Sequence, residues 1–169
     1  MSNQLPVIGV VGGHNASKEN LELAYEVGKH IAARGAVLAC GGLDGIMEAV
    51  CKGAFENGGT VLGILPGSSK SDANPYVTIA IPSSLGISRN VQVVNASDVI
   101  IAFPGAYGTL SEIALALASD KTVIYFPGTW DIKRIGIVEL SKFKEAFDAR
   151  MAIGFALDAI RVGLSSPQS

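Results

Sequence analysis

Residues 98–119 read DVIIAFPGAYGTLSEIALALAS. The run from Val99 to Phe103 is apolar without a polar break, which marks a strand buried on both faces rather than one with a wet side. The strand pattern covers 98–105 and ends in Pro104 and Gly105. A helix is predicted over 109–119, so strand passes to helix through one short glycine-containing turn. A chain that repeats this arrangement builds a parallel sheet with helices on its faces.

The arrangement does repeat. PVIGVVG (6–12) precedes a helix over 18–34, with Leu23, Val27 and Ile31 at helical spacing, Ser17 as N-cap and Gly35 as stop. AVLACGG (36–42) precedes a helix over 45–57, with Ile46, Ala49, Val50 and Ala54 on one face and Gly58-Gly59 at its end. TVLGILPG (60–67), VTIAIP (77–82) and TVIYFPG (122–128) complete the clear strands, and a helix is predicted over 87–96. The polar stretch SSKSDANP (68–75) reads as a surface loop. Beyond Trp130 the pattern weakens: 132–140 reads as a loop with a short helix, 143–147 as strand or helix, and 148–162 as a last helix capped by Asp148. The expected fold is a doubly wound, Rossmann-like parallel sheet in one three-layer α/β/α domain over 1–164, followed by a disordered tail at 165–169.

Composition narrows the function. Of 169 residues, 49% are apolar and 17% charged, against about 25% charged in an average domain. Surface hidden in a subunit interface accounts for such a deficit, so a homo-oligomer, dimer or tetramer, is expected. The helices after strands two and five and the C-terminal segment are the candidate faces. Net charge is −2 and the 13 Lys and Arg are scattered, so nucleic acid is not an expected partner. The N-terminus enters a strand without a basic leader and no apolar run is long enough to span a bilayer, which reads as a soluble cytoplasmic protein with no membrane partner. Cys40 and Cys51 read as buried free thiols. His14 and His30 lack metal-ligand spacing, and no metal is expected.

In a doubly wound sheet, ligands bind beyond the C-terminal strand ends, where the strand order reverses. Those ends carry Gly12-Gly13-His14-Asn15, then CGGLDGIMEA (40–49), then LPGSS (65–69), then PGAYGTLSE (104–112). Glycines let backbone approach a ligand, and a helix start offers unpaired N–H groups and a positive dipole end, which together suit a phosphate. Gly105, Ala106, Tyr107, Gly108 and Thr109 would cradle one such group, with Gly41, Gly42 and Gly45 shaping a second surface. Neither loop is G-x-G-x-x-G or G-x-x-x-x-G-K-[ST], which argues against a dinucleotide-dependent dehydrogenase and a P-loop ATPase. Arg89 lies near a helix start, against the dipole, and so needs a partner, either a ligand phosphate or a surface carboxylate. Thr109-Leu110-Ser111-Glu112 fits a capping box, with the Glu112 carboxylate bonding back to Thr109. Glu112 also fits a catalytic carboxylate, and the residues alone leave both readings open.

GGLDGIMEA, KGAFENGGTVLGILPG, SRN and PGAYGTLSEIALAL, in that order over 6–128, resemble the LOG-like (SLOG) Rossmann superfamily. Within it, the chain is most similar to small single-domain proteins that include the molybdenum cofactor carriers. The resemblance implies one of two functions. LOG enzymes cleave a cytokinin nucleoside monophosphate into base and ribose 5-phosphate with P-G-G-x-G-T-x-x-E and an Arg on the preceding helix. By that resemblance Glu112 would act at the ribose, Arg89 would hold the nucleotide, and Gly105, Gly108 and Thr109 would bind phosphate. The carriers bind the phosphate-bearing molybdenum cofactor without converting it.

Three departures separate this chain from the enzyme pattern. Ala106 replaces the second Gly of P-G-G, Glu48 replaces the last Gly of G-G-G-x-x-G-L-M-G, and Asn90 stands where the enzymes have Lys. The expectation is therefore a carrier of a phosphate-bearing heterocycle, molybdenum cofactor by resemblance. The alternative is a nucleoside 5′-monophosphate phosphoribohydrolase. A purely structural domain would leave four glycine-rich strand ends without a purpose.

Overall fold

The computed structural model describes residues 4–128, 130, 131 and 141–165. Seven strands form one sheet in the order β4-β3-β2-β1-β5-β6-β7, and every pairing is parallel. In chain order the elements are β1 (Val7–Val11), α1 (Lys18–Ala33), β2 (Val37–Cys40), α2 (Ile46–Glu56), β3 (Thr60–Leu65), β4 (Ile79–Pro82), α3 (Asn90–Ala96), β5 (Val99–Ala102), α4 (Tyr107–Ala118), β6 (Val123–Tyr125), β7 (Phe143–Glu145) and α5 (Ala149–Ser165). Short 3-10 turns lie at Lys70–Asp72 and Gly86–Arg89. This is the expected doubly wound, three-layer α/β/α fold.

Alternation along each strand divides the core between the two faces. Ile8, Val10, Leu38, Val99, Ile101 and Ile124 pack beneath α1, α2 and α5. Val11, Ile100, Ala102, Val123 and Tyr125 pack beneath α3 and α4. Burying both faces is what the unbroken apolar runs require. Helices α1 and α2 cross at backbone contact, because a Cβ on Gly28 would overlap the Val50 carbonyl and one on Gly53 the Tyr25 carbonyl. Ser17 caps α1, its Oγ accepting from the Asn20 N–H at 3.2 Å, and Gly35 leaves the helix at φ +67°. Asp148 caps α5 by accepting from the Met151 N–H at 2.7 Å.

Several boundaries differ from the expectation. The helix predicted over 87–96 is a 3-10 turn followed by a short α3, and the loop 68–75 contains one 3-10 turn. Of the ambiguous segment 143–147, Phe143–Glu145 form the edge strand β7, paired with β6. Helix α4 begins at Tyr107, not Thr109, with Ala106 at the N-cap and no side-chain cap bond. The capping box is therefore absent. Thr109 lies inside the first turn, and Glu112 is in the second turn, too far along to return to an N-cap. The short helix expected within 132–140 and the tail at 166–169 lie outside the described residues.

Two helices on the α3/α4 face do not cover the whole sheet. Ile79 and Ile81 stand in register with Leu62 and Ile64 on that face and remain about half exposed. Leu85, Ile87 and Val91, which follow β4 in the chain, are exposed as well, with Ile87 71% exposed. Of the faces expected from sequence, α2 contributes Phe55, α4 Tyr107, and α5 Met151 and Val162. The strip on β4 and α3 was not among those faces. Among the described residues, no helix is long and apolar enough to cross a membrane.

Candidate functional site

The strand order reverses between β1 and β5, and there the first, second and fourth loops meet. The Gly13 N–H donates to the Pro104 carbonyl at 3.1 Å, and the Ile46 N–H donates to the Gly13 carbonyl at 3.1 Å. Gly45, at φ +64°, lets this turn run against the backbone of Gly13 and His14. Gly42, at φ +72°, accepts from the Asn74 N–H at 2.9 Å. Gly105 packs against the Thr109 side chain and the Gly13 backbone, whereas the Cβ direction of Gly108 opens on free space.

The first helical bond of α4 runs from the Leu110 N–H to the Ala106 carbonyl at 3.1 Å. The N–H groups of Tyr107, Gly108 and Thr109 therefore have no carbonyl of their own helix to bond. They lie at the turn where a phosphate is expected from the sequence. Ala106 sits at φ −100°, a value open to any L-residue, so its methyl introduces no backbone strain.

Arg89 and Glu112 meet at this end. Both are 7% exposed, and Arg89 Nη1 lies 3.4 Å from Glu112 Oε1. The partner of Arg89 is thus a carboxylate, one of the two sequence-based choices, but a buried one rather than one at the surface. Nη1 also donates to Asn90 Oδ1 at 2.8 Å, while Nε has no hydrogen-bond partner among the described residues. Gly41 makes this placement possible, since any Cβ there would overlap the Arg89 guanidinium and lie 2.7 Å from Met47 Sδ. Its missing side chain thus makes room for Arg89. Burial pushes the Glu112 carboxyl up to about 7, although the Arg89 charge pulls it back. The carboxyl therefore changes charge near neutral pH.

The remaining sequence candidates fall around this centre. Gly12 packs on Ile46, and Asn15 is exposed. His14 is exposed and pairs with Asp44, which draws the Asp44 carboxyl below its usual range. A depression of about 320 Å³ beside the first two loops is lined by His14, Leu43, Asp44, Glu48, Asp72 and Asn74 among others. Arg89 and Glu112 do not line it, so the acidic depression and the start of α4 are separate features. Cys40 and Cys51 are buried free thiols with Sγ atoms 3.3 Å apart. The hydrogen bond with Cys40 and burial push the Cys51 thiol up. No group of three or more metal-ligating side chains forms among the described residues.

Two residues were missed by sequence reasoning. Trp130 Nε1 donates to the Gly105 carbonyl at 3.0 Å, and its ring lies 5.8 Å from that of Tyr107, which is 79% exposed. As the only tryptophan, just after a Pro-Gly strand end, Trp130 carried a usable signal. Asn90 was read only as a departure from the enzyme pattern, but its amide is buried between Arg89 and α4.

The model of the SLOG cluster4 family matches residues 5–151. A molybdenum cofactor binding protein from Rippkaea orientalis superposes with a TM-score of 0.87 at 37% identity, over 94% of this chain and 99% of that one. The molybdenum cofactor carrier protein from Chlamydomonas reinhardtii gives 0.86 at 33% identity, with the same coverage. The rice cytokinin riboside 5′-monophosphate phosphoribohydrolase LOG is 29% identical over 168 residues, 94% of this chain and 66% of the enzyme.

Proposed function

We infer that this chain, which belongs to the SLOG cluster4 family, binds a phosphate-bearing heterocyclic molecule at the β1/β5 strand ends and carries it without converting it. The observation that supports this most is that buried Arg89 is paired with Glu112 of α4, the helix whose first-turn N–H groups stand open at the switch point. A guanidinium on the side of a helix start is chemistry for an anionic oxygen. Molybdenum cofactor is the ligand we propose, because the likeness to its binding and carrier proteins runs over 94% of the chain. The phosphate end of such a molecule suits the α4 turn.

The second reading, N-glycosidic phosphoribohydrolysis of a nucleoside 5′-monophosphate, rests on the Arg89–Glu112 pair. A carboxylate there could stabilise positive charge growing on ribose. The two readings separate by experiment. Native mass spectrometry of the purified protein is expected to retain a phosphate-bearing ligand, or to take one up from molybdopterin or a nucleotide panel, with no free base released. Release of base from any nucleotide, lost in Glu112→Ala, would reverse the preference. Retention of nothing would end the carrier reading.

We propose in addition that the chain forms a homo-oligomer, with the strip of Ile79, Ile81, Leu85, Ile87 and Val91 packed against a second copy. Exposed apolar patches of this kind mark association surfaces, and a self-complementary patch closes a dimer, on which a tetramer can be built. Sedimentation is expected to show an oligomer that Ile81→Lys shifts to monomer. A wild-type chain that sediments only as monomer would refute this.

A further inference from the structure

Asn90 is 6% exposed, and its amide is used at both ends. Its Oδ1 accepts from Arg89 Nη1 at 2.8 Å. Its Nδ2 donates to Ser111 Oγ at 3.0 Å and lies 3.4 Å from the Gly108 carbonyl. Ser111 Oγ in turn donates to the Gly108 carbonyl at 2.7 Å. The direction of the chain is dictated by chemistry. A guanidinium can only donate, so the amide must present oxygen to Arg89 and nitrogen to α4, and a serine hydroxyl can accept once and donate once. The chain runs from the guanidinium, across the gap between α3 and α4, into the first turn of α4.

We propose that Asn90 and Ser111 form a hydrogen-bond relay that fixes the Arg89 guanidinium to the first turn of α4. The cation and the open N–H groups then act as one preorganised site for the phosphate of the ligand. This rests on the anion-binding reading above and makes Asn90 its positioning residue. Without the relay, Arg89 would keep only its 3.4 Å approach to Glu112. That contact weakens whenever the carboxyl is protonated, whereas an amide holds the guanidinium at any pH. A site whose donors are already placed binds without the entropic cost of ordering them.

The test uses the full chain and two readouts. The first needs no ligand: the exchange rate of the Arg89 Nε–H and guanidinium protons, followed by nitrogen-edited NMR. Asn90→Ala is expected to speed that exchange at least tenfold. Ser111→Ala, which removes only a hydroxyl, should speed it less, and Ser111→Thr should restore it. The second readout is titration with inorganic pyrophosphate, where Asn90→Ala is expected to weaken binding about tenfold. The double variant should lose less than the sum of the single losses, because both act through one chain. Unchanged Arg89 exchange in both alanine variants, or strictly additive losses, would overturn the relay. If the wild-type chain binds no pyrophosphate, the anion-binding reading fails, while the exchange rates still decide the relay.

Discussion

Arg89→Met should weaken binding of pyrophosphate or of any phosphate-bearing ligand by about 30-fold or more, because truncating a buried, hydrogen-bonded charge costs about 2–5 kcal/mol. Arg89 is the cation that the fold brings, buried, to the reversal of strand order beside the α4 turn. Methionine keeps much of the side-chain volume over Gly41 and removes the charge. The protein should remain folded, because Glu112 can respond to the loss of its cation by taking up a proton. Its carboxyl already titrates near 7 with Arg89 in place. Isothermal titration at pH 7, with circular dichroism as the folding control, measures the effect. Affinity within threefold of wild type would place the anion away from Arg89, on the open N–H groups of α4 alone.

The sheet was legible because its strands are apolar on both faces and its helix ends are marked by glycine or a capping side chain. Those signals are local. Where one residue type had two uses, the sequence was ambiguous. T-x-x-E fits a capping box, yet the turn after Pro104 starts the helix at Tyr107 and carries Glu112 past the cap. Gly41 was read as a ligand surface, and nothing in the sequence indicates that its missing side chain also makes room for Arg89. The pairing of Arg89 with Glu112 spans 23 positions, from the 3-10 turn before α3 to α4, so no local pattern could announce it. Asn90 shows the same limit. One letter cannot reveal that an amide has a cation on one side and a hydroxyl on the other. The bare strip on β4 escaped notice because its isoleucines alternate like those of a covered strand, and the missing cover is a property of the third dimension.

Glu112→Gln is the complementary experiment, and its effect should reverse the usual cost of altering a buried ion pair. Unfolded, the carboxyl titrates near 4.5, and folded, near 7. Between those values the folded chain holds a proton that the unfolded chain has released, so stability falls as pH rises through this window. Above about pH 7 the penalty is complete, on the order of 3 kcal/mol. Glutamine mimics the protonated acid at every pH and can still accept from Arg89. The variant should therefore match wild type at pH 4 and melt roughly 5–10 °C higher at pH 8. Ligand affinity should follow the same direction. An ionised Glu112 repels a phosphate drawn to Arg89, so the variant should bind more tightly than wild type at pH 8 and about equally at pH 6. Taking the ratio of the two proteins at each pH cancels the ionisation of the phosphate itself. A variant that melts lower than wild type at pH 8 would show that Glu112 is held charged, and the pair would then stabilise the fold as an ordinary ion pair. Turnover adds a separate result. A phosphoribohydrolase depends on the Glu112 charge and should lose its activity in this variant, whereas a carrier should only hold its ligand more firmly.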